Sequence, residues 1–250
     1  MSFEHIKVEN RGKALVVTLD RDEKRNAINE KMGREIMDAY DQADADPDVR
    51  AIILTHVGSC LCAGMDLSDP EAQVQREDGD AVCRICRKRP QKPVICVVDG
   101  KAFGGGLEIA AACDMVIASE STVFGLTEVR RGLVPGSGGI VRLQKRIPLN
   151  AAMEIAITGE PFSAQRMYEL GLVNHVLPAD EIMDKALEVA ESIAKGAPMA
   201  VAICKETILG SELVDWEANF AAQSRNQTFE DSKEGPRAFL EKREPVWTGR

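Results

Sequence analysis

The chain has 250 residues, of which 44% are hydrophobic and 28% charged, so it is long enough for a substantial buried core and too mixed in composition for a disordered polypeptide. Its 31 Lys and Arg against 40 Asp and Glu give a net charge of −9, which argues against general attraction to nucleic acid or to an anionic membrane. No apolar run approaches the ~20 residues that span a bilayer, and the start lacks the features of a signal or transit peptide, so we expect a cytoplasmic protein.

The seven cysteines indicate reduced, packed thiols and no disulfide framework. Their number is odd, and Cys96 and Cys113 lie in apolar surroundings, where a thiol behaves as a small hydrophobic group. Cys83 and Cys86 have the CxxC spacing, but the chain has only three histidines and no second pair of ligands. We therefore expect no metal site.

The first part of the chain predicts alternating strands and helices. A hairpin opens it, a segment with apolar residues at helical spacing follows, and later buried strands come after polar or glycine-rich segments. This order favours an α/β fold with parallel β/α layering. The predicted strands are residues 5–9, 14–20, 49–54, 94–98 and 114–118, and the predicted helices between them are residues 28–43 and 104–113.

From residue 148 onward the apolar spacing is almost wholly helical. We therefore divide the chain into a core of residues 1–195 and a C-terminal helical region of residues 196–250. The short helices carry much apolar surface, which favours packing against another subunit over packing back onto the sheet. The predicted helices are residues 149–157, 163–170, 180–195, 198–209 and 213–225.

Two glycine-containing turns are candidate sites for binding an oxygen atom. Residues 104–106 are three glycines between a strand and a helix, where bare N–H groups lie at the positive end of the helix. A second turn, residues 62–67, contains Gly64 and offers another backbone donor. Two such donors suit a thioester carbonyl that becomes an enolate. The alternative is that these glycines only allow tight turns and close packing.

Two glutamates add acid–base chemistry to these turns. Glu108 lies three residues after Gly105, in an otherwise apolar run, and Glu128 lies ahead of a second glycine cluster at residues 132–139. Two acids that face one water can act as acid and base, and burial raises the pKa of a glutamate toward neutral pH. A cap or a surface charge is the alternative for either acid alone.

These motifs, taken together and in order, resemble the crotonase superfamily, the enoyl-CoA hydratase and isomerase family. The resemblance runs from Ala14 to Leu240 and is closest to enoyl-CoA hydratase. It implies a spiral of β/α repeats with a C-terminal helical trimerisation region, and a homotrimer or a homohexamer built as a dimer of trimers. The matching segments are residues 22–29, 62–67, 104–108, Glu128 with residues 135–139, and residues 238–243.

The same resemblance implies the roles of particular residues. The N–H groups of Met65 and Gly105 would bind the thioester oxygen, while Glu108 would help to deprotonate and orient water and Glu128 would deliver a proton to the α-carbon. Coenzyme A would be part of the substrate, with no prosthetic group and no metal. The implied coenzyme A contacts are Arg25, Ala27, Ala63, Met65, Asp66, Leu67, Ser68, Gly105 and Gly136.

The expected activity is reversible, syn addition of water to a 2-trans-enoyl-CoA, as in the degradation of fatty acids or related acyl groups. An enoyl-CoA isomerase, a specialised acyl-CoA dehydratase, and a catalytically silent scaffold that binds coenzyme A or associates with RNA are the alternatives. The family's isomerases commonly keep only the acid that matches Glu128, so the presence of Glu108 favours hydration. The acyl group and the physiological direction are left open.

Two segments depart from the commonest family pattern. Leu61 stands where phenylalanine is usual, and Arg130 and Arg131 follow Glu128. A neighbouring guanidinium favours the ionised form of a carboxyl group, so these arginines are expected to lower the pKa of Glu128 and weaken it as an acid. They are alternatively contacts for coenzyme A phosphates or for a neighbouring subunit.

Overall fold

The computed structural model describes residues 3–74, 79–211, 216–246 and 248. Ten strands and ten helices are assigned within these ranges. The strands are β1 (Ile6–Arg11), β2 (Ala14–Leu19), β3 (Ala51–His56), β4 (Cys60–Cys62), β5 (Val94–Val98), β6 (Lys101–Phe103), β7 (Met115–Ser119), β8 (Val123–Gly125), β9 (Phe162–Ser163) and β10 (His175–Leu177). The helices are α1 (Glu30–Ala45), α2 (Ala81–Arg87), α3 (Gly105–Ala112), α4 (Gly139–Arg146), α5 (Leu149–Thr158), α6 (Ala164–Glu169), α7 (Ile182–Ala194), α8 (Pro198–Ser211), α9 (Trp216–Gln227) and α10 (Asp231–Glu241).

The larger sheet has six strands in the order β1-β2-β3-β5-β7-β10. Strands β1 and β2 form the predicted antiparallel hairpin, and every later pairing in this sheet is parallel. Strands β3 and β5 are buried along nearly their whole length, as expected for parallel strands covered on both faces. The predicted α/β architecture is confirmed.

The second sheet has four strands in the order β4-β6-β8-β9, the first three of them parallel. Each of β4, β6 and β8 follows directly on a strand of the larger sheet, because the chain runs from β3 to β4, from β5 to β6 and from β7 to β8. Every turn of the chain therefore adds one strand to each sheet. This is the geometry of a spiral of β/α repeats.

Helices cover both faces of the larger sheet. The α7 residues Ile182, Ala186 and Ala190 lie against one face, in a cluster with residues such as Ile53 and Ile95. Helices α1, α2 and α3 lie on the other side, in the larger core cluster that also includes the second sheet. Helix α3 contacts β4 and β6 of the second sheet and the helices α2 and α4, and these contacts fix the direction of its N-terminus.

The sequence patterns missed the second sheet, three helices and strand β10 of the larger sheet, which lies in the part of the chain predicted to be almost wholly helical. Strands β4, β6 and β8 have three residues each, too few to show an alternating pattern. Helix α2 lies in a stretch that reads as polar, although its first six residues are buried. Helices α4 and α10 were also not predicted, and the start of the predicted helix at 213–225 lies outside the described residues.

Six cysteines are buried free thiols, as predicted, whereas Cys204 on α8 is exposed, contrary to the expectation of packed thiols. In the described part of the chain, no group of three or more His, Cys, Asp and Glu side chains is arranged to hold a metal ion. None of the helices within those same ranges combines the length and apolarity needed to cross a membrane.

Candidate active site

The first turn of the site is the glycine run that begins α3. The N–H of Gly104 donates to the carbonyl of Gly125 at 2.8 Å, which ties the turn to β8. Gly105 is the first residue of the helix, so its N–H has no acceptor within the helix and points out of its N-terminus. Gly106 lies against β4, where an added Cβ would be 2.2 Å from the carbonyl oxygen of Cys62. The helix can approach the sheet this closely only with glycine there.

The second turn places Met65 beside that helix start. The N–H of Ile28 donates to the carbonyl of Gly64, and the N–H of Asp66 donates to the carbonyl of Ile28, each at 2.9 Å. Because these two bonds flank Met65, its own N–H faces the opposite side of the strand. A Cβ on Gly64 would lie 3.6 Å from the Gly105 nitrogen, so the two turns are adjacent.

Neither the Met65 nor the Gly105 N–H donates a hydrogen bond to another residue within the described ranges. Two neighbouring backbone donors of this kind form a site for an oxygen that gains negative charge. The structure therefore brings together the two turns that the sequence singled out as possible donors.

Glu108 lies one turn into α3 with only 2% of its surface exposed. Its Oε1 accepts hydrogen bonds from the N–H groups of Ser137 and Gly139, each at 2.8 Å. Gly139 begins α4, so the carboxylate lies at the positive end of a second helix. A Cβ on Gly139 would lie 2.9 Å from Glu108 Cγ, so this contact also depends on glycine.

Burial raises the pKa of Glu108 to about 7, and the negative charge of Asp80 adds to this effect. The amide donors of Gly139 and Ser137 and the charge of Arg142 act in the opposite direction. The result is a carboxyl group that changes charge near neutral pH, which is the range in which an acid or base is most effective.

Glu128 begins a 3₁₀ turn that extends to Arg131 and projects toward the start of α3. Its Oε1 is 3.1 Å from the position that a Cβ on Gly104 would occupy. Its Oε2 is buried and has no hydrogen-bond partner in the part of the chain that the structure describes. Burial, followed by the charge of Glu108, raises the pKa of Glu128 to about 8.

Of the two arginines that follow Glu128, Arg131 has the expected effect on the pKa of this glutamate, although the net shift is upward. Arg131 does lower the pKa of Glu128, but burial outweighs it. Arg131 donates to Thr127 Oγ1 at 3.0 Å and its guanidinium lies 4.9 Å from the centre of the Phe239 ring, while Arg130 pairs with the exposed Glu160.

The residues expected to contact coenzyme A form a band beside the Met65 turn. The N–H of Ala63 donates to the carbonyl of Arg25 at 3.1 Å, so these two exposed residues are neighbours. Ala27 and Leu67 are partly buried, and Ser68 is exposed.

Asp66 and Gly136 differ from the rest of that band. Asp66 is 6% exposed, and its side chain turns inward to Arg21 and Ser68. Gly136 is partly buried, and a Cβ on it would be 2.1 Å from Gln223 Nε2 of α9.

Sequence reasoning missed the backbone partners of Glu108 and the support beneath the Met65 turn. Ser137 and Gly139 lie in the recognised glycine cluster, but nothing in their side chains marks their N–H groups as donors to a residue 29 to 31 positions away. Asn26 is fully buried and bonds to the carbonyls of Val57 and Cys60, and only its place in a matched motif drew attention to it.

Comparison with known proteins gives a consistent result. The family model described as enoyl-CoA hydratase/isomerase matches residues 9–250. Enoyl-CoA hydratase EchA19 of Mycobacterium tuberculosis is 37% identical, covering 97% of this chain and 96% of its own. Carnitinyl-CoA dehydratase of Proteus mirabilis is 38% identical, with 96% and 97% covered. A crystal structure of carnitinyl-CoA hydratase from Mycobacterium avium superposes with a TM-score of 0.89 at 38% identity over 100% of both chains.

Proposed function

Because this chain belongs to the enoyl-CoA hydratase/isomerase family, the crotonase superfamily, we propose that it adds water reversibly to the double bond of a 2-trans-enoyl-CoA thioester. Relatives named enoyl-CoA hydratases are hydro-lyases, in agreement with the enzyme class expected from the sequence. The observation that carries the proposal is the pair of carboxyl groups of the buried Glu108 and of Glu128, whose Oε2 is buried, beside two backbone donors without an acceptor in the described part of the chain.

The two carboxyl groups differ in a way that supports a different role for each. Two N–H groups stabilise negative charge on Glu108, whereas Glu128 has a buried oxygen without a donor in the described chain and the higher pKa. At neutral pH the pair therefore holds its proton preferentially on Glu128. Glu108 is the base in the hydration direction and Glu128 is the acid.

The addition of water to the double bond then proceeds as follows. Glu108 takes a proton from water, the water oxygen forms a bond to the β-carbon, and the electrons of the double bond move through the α-carbon onto the thioester oxygen. The Met65 and Gly105 N–H groups stabilise that oxygen, and Glu128 transfers its proton to the α-carbon. One such donor contributes ~3–4 kcal/mol to a transition state, and a positioned acid or base contributes ~10²–10⁴-fold.

Dehydration of a specialised 3-hydroxyacyl-CoA is the second candidate, because relatives at 38% and 36% identity are named carnitinyl-CoA dehydratase and mevalonyl-coenzyme A hydratase. Hydration and dehydration share one transition state, so the same site supports both directions. A role in fatty-acid β-oxidation would go with the first candidate, the hydration of a 2-trans-enoyl-CoA. The retained Glu108 argues against a pure isomerase, and the two buried acids argue against a silent scaffold.

We also propose a cytoplasmic homotrimer or homohexamer with residues 1–195 as the catalytic core and residues 196–250 as the helical region. Exposed apolar side chains on α8 support an intersubunit role for that region; they are Met199, Ile203 and Ile208. Coenzyme A enters this proposal as part of the substrate, and the chemistry requires no prosthetic group.

Turnover of a panel of enoyl-CoA and 3-hydroxyacyl-CoA thioesters of graded length, branching and polarity tests the proposal. Loss or gain of the conjugated-thioester absorbance reports the reaction, and mass spectrometry identifies the product. We expect hydration of at least one enoyl-CoA. Double-bond migration without water addition, or binding without turnover across the panel, would overturn the assignment.

A further inference from the structure

Beneath the Met65 turn lies a buried ion pair that the proposed mechanism does not use. Arg21 Nη2 is 2.8 Å from Asp66 Oδ2, and the two side chains are 11% and 7% exposed. Burying two charges is costly, and a well-packed apolar pair often stabilises a protein as much or more. The pair therefore calls for an explanation beyond stability.

Each member of the pair is attached to a second part of the site. Asp66 Oδ1 accepts from the Ser68 N–H at 2.9 Å and from Ser68 Oγ at 2.5 Å. Arg21 Nη1 donates to the carbonyl of Ala27 at 2.8 Å. Arg21 thus links the segment before Ile28 to the carboxylate in the turn, and both oxygens of that carboxylate have fixed partners.

These contacts bracket the Met65 N–H. On one side, Gly64 accepts from Ile28; on the other, Asp66 donates to Ile28 and its side chain is fixed by Arg21. The peptide that carries the Met65 N–H cannot rotate without breaking at least one of these bonds. A shift of the Asp66 side chain would consequently be transmitted to the direction of the Met65 N–H.

We propose that Arg21 is a positioning residue, which acts through Asp66 to hold the Met65 N–H directed at the substrate's thioester oxygen. The inference rests on the proposed function, because it concerns an oxygen that a CoA thioester supplies. Two residues that do not react, Arg21 and Asp66, thus set the orientation of one of the two backbone donors. A displaced donor loses stabilisation in the transition state more than in binding, so the loss falls on kcat.

The test is Arg21→Met, studied with an arylacryloyl-CoA chromophore whose absorbance shifts to the red when its carbonyl is polarised. We expect the variant to bind the chromophore within about threefold of the wild type, to lose most of the red shift, and to lose about tenfold or more in kcat. Arg21→Lys should be intermediate, because lysine can contact Asp66 but cannot reproduce the guanidinium fork to Ala27.

Lys205→Met is the matched control. Lys205 forms an ion pair with Asp114 at 2.7 Å, with side chains 10% and 18% exposed, on the β7 side of the molecule. It should lower stability without changing the red shift or kcat. If Arg21→Met retains the wild-type shift and kcat and loses only stability, the pair is structural and the inference is wrong.

Asp66→Asn provides a second route if Arg21→Met fails to fold, because the amide keeps the volume and an acceptor for Ser68. Asp66→Asn should reduce the red shift and kcat as Arg21→Met does. The double variant Arg21→Met/Asp66→Asn should lose no more red shift and no more kcat than Asp66→Asn alone. Additive losses from the two substitutions would overturn action through Asp66. If the wild type binds no acyl-CoA, the proposed function itself fails. If the wild type shows the red shift and the variants preserve it, only the positioning role of Arg21 fails.

Discussion

Glu108 and the half-buried Glu128 both lie at the start of α3, but only Glu108 accepts two hydrogen bonds from the backbone of another described segment. Ser137 and Gly139 each donate to Glu108 Oε1 at 2.8 Å, while Glu128 Oε2 has no partner among the described residues. Unequal hydrogen bonding separates the proton affinities of two groups that burial affects alike. This difference underlies the first two predictions.

The pH dependence of kcat/KM should be bell-shaped, with a maximum between the two ionisations. Below about pH 7 the base Glu108 becomes protonated, and above about pH 8 the acid Glu128 loses its proton, so the rate falls on both sides. Initial rates in a constant-ionic-strength buffer series measure this. A rate that rises steadily to pH 10 would contradict the assignment of Glu128 as the acid.

Glu128→Gln should make the folded protein more stable at alkaline pH. The pKa of Glu128 is raised from 4.5 to about 8 on folding, so between these values the native carboxyl holds a proton that the unfolded chain has released. The free energy of unfolding of the wild type therefore falls as pH rises through this window, whereas glutamine carries no such penalty.

The gain in the free energy of unfolding of Glu128→Gln over the wild type should be on the order of a few kcal/mol above pH 8 and should vanish below pH 4.5. Chemical denaturation at pH 4, 6.5 and about 8.5 measures it. The exposed Glu154 supplies the control Glu154→Gln, whose effect should not change over this range. A stability difference for Glu128→Gln that is independent of pH would contradict the prediction.

Removing Arg131 should move the alkaline limb of the pH profile upward. Arg131 lowers the pKa of Glu128, so Arg131→Gln should let the acid keep its proton to higher pH. Arg130→Gln is the control, because Arg130 pairs with the exposed Glu160 and donates to the Thr158 carbonyl. Equal shifts in both variants, or none in Arg131→Gln, would show that Arg131 does not act on Glu128.

Gly106→Ala should destabilise the protein strongly, by roughly 2–4 kcal/mol. The added Cβ would meet the carbonyl oxygen of Cys62 at 2.2 Å, so α3 must move away from β4 and carry Gly105 with it. Gly210→Ala in α8 is the matched control, because its Cβ would meet nothing within 4 Å and alanine favours a helix. Thermal melts measure both; a neutral Gly106→Ala would contradict the close approach of α3 to the sheet.

The sequence predicted those parts of the fold that have a local signal. The hairpin, α1 and the buried strands β5 and β7 are long enough to show their periodicity, and the three glycines marked the start of α3. Glu108 stood out because an acid in an apolar run is hard to explain by packing. Each of these features is predictable because its signal lies within a single segment of the chain.

The remaining features depend on contacts between distant segments. The three-residue strands of the second sheet exist because the spiral places them side by side. The donors to Glu108 are main-chain groups, which no residue type reveals. The net effect on Glu128 depends on burial outweighing a neighbouring arginine, a balance that spacing along the chain cannot supply.

Hydration of crotonyl-CoA by Glu108→Gln and Glu128→Gln tests the site most directly. Each amide keeps the shape of its glutamate and removes its proton chemistry, so we expect each variant to lose about 10²–10⁴-fold in kcat while both still bind the thioester. Hydration at the wild-type rate by either variant would contradict a mechanism in which these two carboxyl groups act on one water and one α-carbon.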